Sequence, residues 1–369
     1  MHKIPNDTSI YYIGILLQKH SKMSILFTMK TPSFLVKNST IGITAPSFGC
    51  TIQPYSSYFK SACRQIEDKG YRIKTGKTVF MDDGKGISTD PRTAARELMD
   101  FYESDDIDAI ISAGGGETMC ETAAYIDFES LKNARSKWFM GYSDNTNFIF
   151  PLATISGIAS IYGPCISGFG KKWEQTEIDA FGILEGTTRN VRGYPMFQKP
   201  ENDISCPENP ASQCLNLTEK KILHYFNCSD NCRMEGMLLG GCLDVLSTLC
   251  GTKLDNMENF NRKTEGIIWV LESCDANPME IRRQVWQLKN SGWFDKAAGF
   301  LVGRPLSSMG QEMMGVNQYN AVTDIIGNLG VPVIMDADIG HIDPAMPLVI
   351  GANARVSSEG NEISVEMDI

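Results

Sequence analysis

Histidine is scarce in this chain of 369 residues: His2, His20, His224 and His341 are all there are. Any reaction that needs an imidazole has few places to happen. Positive charge is short as well, with 34 Lys and Arg against 44 Asp and Glu, a formal net charge of -10. A phosphate-backbone partner needs a basic face, so a nucleic-acid binder is excluded. Long apolar runs are missing. Ser9 to Leu17 (SIYYIGILL) is too short to span a bilayer, and Gln18, Lys19 and His20 follow it where a cleaved leader carries small residues. A cytoplasmic protein without a membrane partner is expected. Paired C-x-x-C knuckles are also lacking. The 11 cysteines are odd in number and scattered, which reads as reduced, mostly buried thiols rather than a disulfide framework. The denser group Cys206, Cys214, Cys228 and Cys232 lacks the spacing of a zinc site and reads as a loop-rich insert that holds thiols.

What is present is the composition of a globular protein, 42% hydrophobic and 21% charged. The length suits about two domains and a core that needs no staple. From Thr40 onward, short β-rich runs alternate with helical ones. Strands are expected at Ile41 to Ala45, Tyr71 to Thr75, Ile107 to Ser112, Trp138 to Tyr142 and Ala159 to Tyr162. Helices are expected at Tyr55 to Lys69, from Pro91 to about Tyr102, and at Glu117 to Ile126. That alternation implies an α/β fold with a mostly parallel sheet. From about Arg192 to Arg233 the rhythm breaks. It resumes with strands at Met234 to Leu239, Gly266 to Leu271, Gly299 to Val302, Pro332 to Met335 and Leu348 to Ile350. Helices are expected there at Leu243 to Leu249, Pro278 to Asn290 and Tyr319 to Leu329. The chain therefore divides into a tail or mis-assigned start (1–28), an N-terminal α/β domain (29–195), a linker or insert (196–233) and a C-terminal α/β domain (234–369).

Four places could carry chemistry. His341, in DADIGHIDPAMP between two strands, is the candidate general base; His224, in KILHYF, reads as a partly packed surface residue. Ser143, in FMGYSDNTNF, follows an apolar strand. A strand-to-helix turn lifts a nucleophile above the carboxyl edge of a sheet and offers the next amide, Asp144, to an oxyanion. The same serine could simply cap the helix. Gly114, Gly115 and Gly116 could cradle a phosphate, donate to an oxyanion or make a tight turn. Glu272 ends the strand IIWVLE, and such a buried carboxylate needs a partner. It could orient an imidazole or pair with Arg282, Arg283 or Lys289. A cysteine nucleophile at Cys120 is disfavoured because that residue falls within a helix rather than at a turn. In chain order these residues read Ser, Glu, His, the set acyl transfer requires.

The segments IGITAPS, SAGGGETMCETAAYIDF, GYSDNTNF, ASIYGP, GGCLDVL, WVLES and GHIDPAMPLVIGANARV resemble, in order, the blocks of the S66 serine peptidases. That family contains the LD-carboxypeptidases of murein recycling and the microcin C immunity proteins. The resemblance runs from about Thr31 to the end. It implies a Ser143–Glu272–His341 triad, an oxyanion hole of backbone amides at Gly116 and Asp144 with Gly115 adjacent, and no cofactor or metal. It also implies a flavodoxin-like N-terminal domain, a swivelling β/β/α C-terminal domain and a homodimer. The substrate expected is a muropeptide cut at an L,D-peptide bond, or a peptidyl- or aminoacyl-nucleotide cut at its amide. The alternative is a catalytically silent small-molecule or peptide binder on the same fold. GGGETM stands where classical LD-carboxypeptidases tend to carry R-G-G-Y-G, so the chain looks more like the microcin-immunity branch. Cys242 stands where the family often has the asparagine of G-G-N-L, which puts the carried-over substrate contacts in doubt.

Overall fold

The computed structural model describes residues 29–202 and 205–369; the expected tail, residues 1–28, lies outside them. Five parallel strands open the chain: β1 (Thr40–Thr44), β2 (Arg72–Thr75), β3 (Ala109–Ser112), β4 (Trp138–Gly141) and β5 (Ser160–Tyr162). Their spatial order is 2-1-3-4-5. Between them run α1 (Tyr55–Asp68), α2 (Pro91–Glu103), α3 (Met119–Ala123) and α4 (Thr146–Pro151). Every residue of β1, β3 and β4 is buried, as strands covered on both faces must be. α2 begins where the sequence marks it: the Asp90 carboxylate accepts the Thr93 amide at 3.1 Å and Pro91 takes the first helical position.

After α5 (Gln175–Glu185), a second sheet is built from β6 (Asn190–Arg192), β7 (His224–Phe226), β8 (Arg233–Cys242), β9 (Ile267–Glu272), β10 (Ala297–Gly303) and β11 (Val333–Ala337). β12 (Leu348–Ile350) then returns to the first sheet, antiparallel to β5. The chain ends in the hairpin β13 (Asn353–Glu359) and β14 (Glu362–Asp368), which extends the second sheet beside β8. The order of that sheet is β6-β14-β13-β8-β9-β10-β11-β7, with β8 to β11 parallel. α6 (Leu243–Leu249), α7 (Pro278–Asn290) and α8 (Asn320–Ile326) connect its strands. Thus β6, ahead of residue 195, lies in the second sheet, and β12, past residue 234, lies in the first. Each half of the chain contributes a strand to the other's sheet.

The units also meet through aromatic rings. Phe150, on α4, stacks on Trp293 at 4.7 Å between centroids and on Trp269 of β9 at 6.3 Å. Such contacts contribute about 0.5–1.5 kcal/mol each beyond the area they bury.

Two sequence expectations change. The helix expected over Glu117 to Ile126 is confined to Met119–Ala123. The Met119 amide is taken by the Asp144 carboxylate at 2.9 Å, which holds the preceding residues as a loop. The segment expected as a linker is partly ordered into sheet. Met196–Phe197 pairs with Glu219–Lys220, and β7 forms the edge of the second sheet beside β11.

Candidate functional site

Open α/β sheets collect functional groups at the carboxyl ends of their strands. Here the loops after β1, β3 and β4 converge. Ser143 follows β4 at the start of a 3-10 turn with φ +62°. A side chain is uncommon in that left-handed region, and the strain marks sites where the surroundings enforce it. The serine side chain caps neither the 3-10 turn nor α4. The loop after β3 passes directly over it. A Cβ added at Gly115 would sit 3.3 Å from Ser143 Oγ, and one at Gly116, where φ is +152°, would lie 2.2 Å from Ser47 Oγ. The glycine run is therefore a close approach of backbone to serine. Among the described residues, the amides of Gly116 and Asp144 donate to no partner.

Asp144 ties these loops together. Its Oδ2 accepts from Ser47 Oγ at 2.5 Å and from the Met119 amide at 2.9 Å, and its Oδ1 accepts from Asn147 Nδ2 at 2.8 Å. Burial raises its pKa and these hydrogen bonds oppose the rise. The carboxylate thus joins the ends of β1, β3 and β4 through three donors.

Glu272, at the end of β9, is 1% exposed. Of the partners open to it from sequence, Arg282 pairs with Asp324, Arg283 lies near Glu280, and Lys289 reaches the Asn328 side chain. Glu272 instead holds His341: Oε2 lies 2.7 Å from Nδ1 of the imidazole. Its Oε1 accepts the Tyr162 hydroxyl at 2.5 Å, and the same hydroxyl accepts the Ser143 amide at 3.0 Å. Burial, and then the nearby Glu272, push the tyrosine pKa well above its usual value, so the hydroxyl stays a donor. The network Ser143–Tyr162–Glu272–His341 brings three sequence-predicted residues together through one that sequence reasoning passed over. The only signal for Tyr162 was its place in the segment ASIYGP.

Burial acts to lower the His341 pKa. Glu272 and hydrogen bonding to the adjacent Cys274 thiol outweigh it, and the net shift is well above the ordinary histidine value. The loop carrying His341 rests on a buried ion cluster. Asp338 pairs with Arg304 at 2.7 Å and with Lys221 of the insert at 3.3 Å. It also accepts the Tyr194 amide at 2.8 Å, and Asp343 O accepts the Gln198 amide at 2.8 Å. His224 lies apart from this loop, its ring 4.6 Å from Tyr319 and its Nε2 3.7 Å from Asp336.

Two cavities flank the network. The larger, about 260 Å³, opens on the His341 side and is lined by Tyr55, Tyr58, Tyr142, Tyr162, Lys171 and Lys172 among others. The insert adds Ser205, Gln213 and Leu215 to its wall. The smaller, about 90 Å³, contains Ser143 with Gly116, Glu117, Cys120, Asn147 and Asp275. Cys242 and Cys274 also line it. Cys242 is buried and its thiol is pushed well up, first by burial and then by Glu272 and Asp244. Its amide donates to Thr146 Oγ1 at 3.0 Å. The pKa of Cys120 is also raised, chiefly by burial. All cysteines from Cys50 to Cys274 are free thiols. Among the described residues, no three His, Cys, Asp or Glu side chains are grouped to hold a metal ion, and no helix is long and apolar enough to cross a membrane.

The family model for the LD-carboxypeptidase N-terminal domain matches residues 41–163, and that for the C-terminal domain matches residues 235–356. The microcin C7 self-immunity protein MccF of Escherichia coli is 24% identical over 341 residues, covering 90% of this chain and 94% of its own. A probable murein peptide carboxypeptidase of Bacillus subtilis is 26% identical over 341 residues, covering 92% and 95%. The structure of MccF in complex with aspartyl sulfamoyl adenosine matches with a TM-score of 0.75 at 20% identity, covering 91% of this chain and 98% of that one. An MccF-like protein from Bacillus anthracis matches with a TM-score of 0.73 at 20% identity, covering 92% and 100%. At such identities the structural likeness speaks for the fold alone.

Proposed function

Since this chain belongs to the S66 peptidase family, we propose that it is a serine hydrolase of peptide or amide bonds with Ser143 as nucleophile, His341 as general base and Glu272 as the group that orients the imidazole. The observation that carries this reading is the continuous network from the strained Ser143 turn through Tyr162 and Glu272 to His341.

In this mechanism His341 takes the Ser143 hydroxyl proton as Oγ attacks the scissile carbonyl. The amides of Gly116 and Asp144 receive the oxyanion; each such donor is worth on the order of 100- to 1000-fold in rate. Glu272 holds the imidazole in the tautomer that leaves its other nitrogen for the serine. The proton passes to the leaving amine, and water then clears the acyl-enzyme. No hydrogen bond joins the Ser143 and His341 side chains; catalytic contacts commonly tighten only around substrate.

The tyrosine-lined cavity beside His341 suits a planar leaving group. That lining favours an aminoacyl-nucleotide amide, the kind of ligand named for MccF in the structural comparison. A muropeptide ending in D-alanine is the second substrate class, favoured by the carboxypeptidase relatives. Mass spectrometry of wild type and Ser143→Ala, each with a murein tetrapeptide and an aminoacyl sulfamoyl adenylate, tests the assignment. Cleavage by wild type alone supports the serine mechanism and identifies the class. If neither is cut, the silent-binder reading takes its place.

A further inference from the structure

We propose that the Asp144 carboxylate is a positioning group for the oxyanion site: with Ser47 as its fixed partner, it holds the loop that carries the Gly116 amide against the turn that carries the Asp144 amide. The proposal rests on reading Ser143 as the nucleophile.

Two donors stabilise an oxyanion only when they converge on one oxygen. Here they come from loops that follow different strands, Gly116 after β3 and Asp144 after β4. The last paired residues of those strands are Ile111 and Met140, so the ladder stops short of both donors. The Asp144 side chain bridges what the ladder leaves open. Its Oδ2 takes the Met119 amide, just past Gly116, at 2.9 Å and the Ser47 hydroxyl at 2.5 Å. Asn147 Nδ2, on α4, fixes the other side of the residue, reaching Oδ1 at 2.8 Å and the Asp144 carbonyl at 3.0 Å. The residue that supplies one amide thus grips, through its carboxylate, the loop that supplies the other.

The loop after β1 supplies an independent observation. Ser47 is fully buried, and its backbone is braced: Ser47 O accepts the Ser88 amide at 2.8 Å, and Ser88 Oγ donates to Ala45 O at 2.6 Å. The next residue, Phe48, donates its amide to Gly115 O at 3.0 Å. The Gly115–Gly116 peptide is trans, so a carbonyl held on the Phe48 side leaves the Gly116 N–H facing the opposite way. Gly116 itself lines the cavity that contains Ser143. A Cβ at Gly116 would lie 2.2 Å from Ser47 Oγ and 3.4 Å from Asp144 Oδ2, so the glycine packs against the hydroxyl–carboxylate contact itself. A hydrogen bond from a hydroxyl to an ionised carboxylate is short and among the stronger kinds, which suits it to fix a backbone position. The loop after β1 therefore orients the Gly116 peptide through Phe48 and locks it to the nucleophile turn through Ser47 and Asp144.

The test follows phosphonylation of Ser143 in the full chain by intact mass, with an alkyl fluorophosphonate and its thiono counterpart, which carries P=S in place of P=O. With either probe the Ser143 Oγ–P bond forms, the P–F bond breaks, fluoride leaves and the hydroxyl proton goes to His341. Only the P=O oxygen is a good acceptor for the two amides; sulfur is a weak one. Asp144→Asn keeps the size of the side chain but sets an NH2 group against at least one of its donors. It should slow the oxo probe by about ten- to a hundredfold and the thiono probe by less than about threefold, so the ratio of the two rates narrows. Ser47→Ala leaves the Met119 and Asn147 bonds in place and should narrow the ratio by a smaller factor; it carries the test if Asp144→Asn fails to fold. The acid limb of labelling should keep its midpoint in both variants, because Glu272 and Cys274 are what raise the His341 pKa. An equal fall with both probes, as general loosening would give, or a displaced midpoint would overturn the positioning role and leave the nucleophile assignment standing. No labelling of wild-type Ser143 would remove the nucleophile assignment, and the proposal with it.

Discussion

At the scale of single residues, the site depends on who holds the imidazole. His341 is pulled upward by Glu272 and the Cys274 thiol against the opposing effect of burial. A general base must be neutral, so a raised pKa moves the acid limb of kcat/KM to higher pH than the unperturbed value of about 6.5. Activity should climb with pH through a midpoint above that value; a limb at or below it would contradict the geometry. Glu272→Gln removes the largest upward influence and should shift the limb down while lowering kcat by about 10⁴, the loss seen when a triad's orienting acid becomes an amide. Ser143→Ala should lower turnover by roughly a millionfold. Tyr162→Phe keeps the ring but removes the hydroxyl that bridges Ser143 and Glu272. It should reduce kcat by up to about a hundredfold with KM little changed. A loss confined to KM would assign Tyr162 to substrate binding instead.

At the scale of elements, two short segments set the position of those residues. Near its end, β8 carries Gly240 and Gly241, at φ +142° and +145°. A Cβ at Gly240 would fall 1.9 Å from Val270 O, and one at Gly241 would fall 2.5 Å from Thr146 Oγ1. Those contacts bring the end of β8 against β9 and α4, the elements that carry Glu272 and follow Ser143. Gly240→Ala should therefore lower both stability and activity, read together by urea unfolding and turnover. The loop carrying His341 hangs on Asp338, fully buried between Lys221 and Arg304. Asp338→Ala would strand two buried cations and should destabilise the chain by about 3–5 kcal/mol in chemical unfolding. A cost under about 1 kcal/mol would show the cluster to be relaxed and hydrated. The insert thus has a mechanical connection to the site through Lys221 as well as a share in the larger cavity.

At the scale of the whole molecule, the two sheets are interlocked. β12 crosses into the first sheet just after the His341 loop, and β6 crosses into the second. Phe150 lies between the units against Trp269 and Trp293. Calorimetry should accordingly show one cooperative transition for the chain; two resolved transitions would mean the strand exchange contributes little to stability. The network also spans the units, since Ser143 and Tyr162 belong to the first and Glu272 and His341 to the second half of the chain.

Much of this was legible from local sequence. Buried strands such as β3 and β9 are nearly continuous apolar runs, and α7 is announced by Asn277, Pro278 and Glu280, which form a capping box. The family blocks pointed to Ser143 and Glu272 at or just after strand ends and to His341 in the loop between two strands. The terminal hairpin β13–β14, α5 and the edge strands β6 and β7 went unread. Their partners lie far away in sequence, and edge strands carry a weak pattern of their own. Sequence by itself determined the α/β class, the chain order of the candidate residues and the glycine run beside the serine, all of which follow from local pattern and residue chemistry. Only the tertiary structure decided that Glu272 holds His341 rather than an arginine, that Tyr162 links them to Ser143, and that Ser47 holds the Asp144 carboxylate. Apart from the Ser143–Tyr162 step, which spans 19 positions, those contacts join residues 69 or more positions apart, and no periodicity in a single segment encodes them.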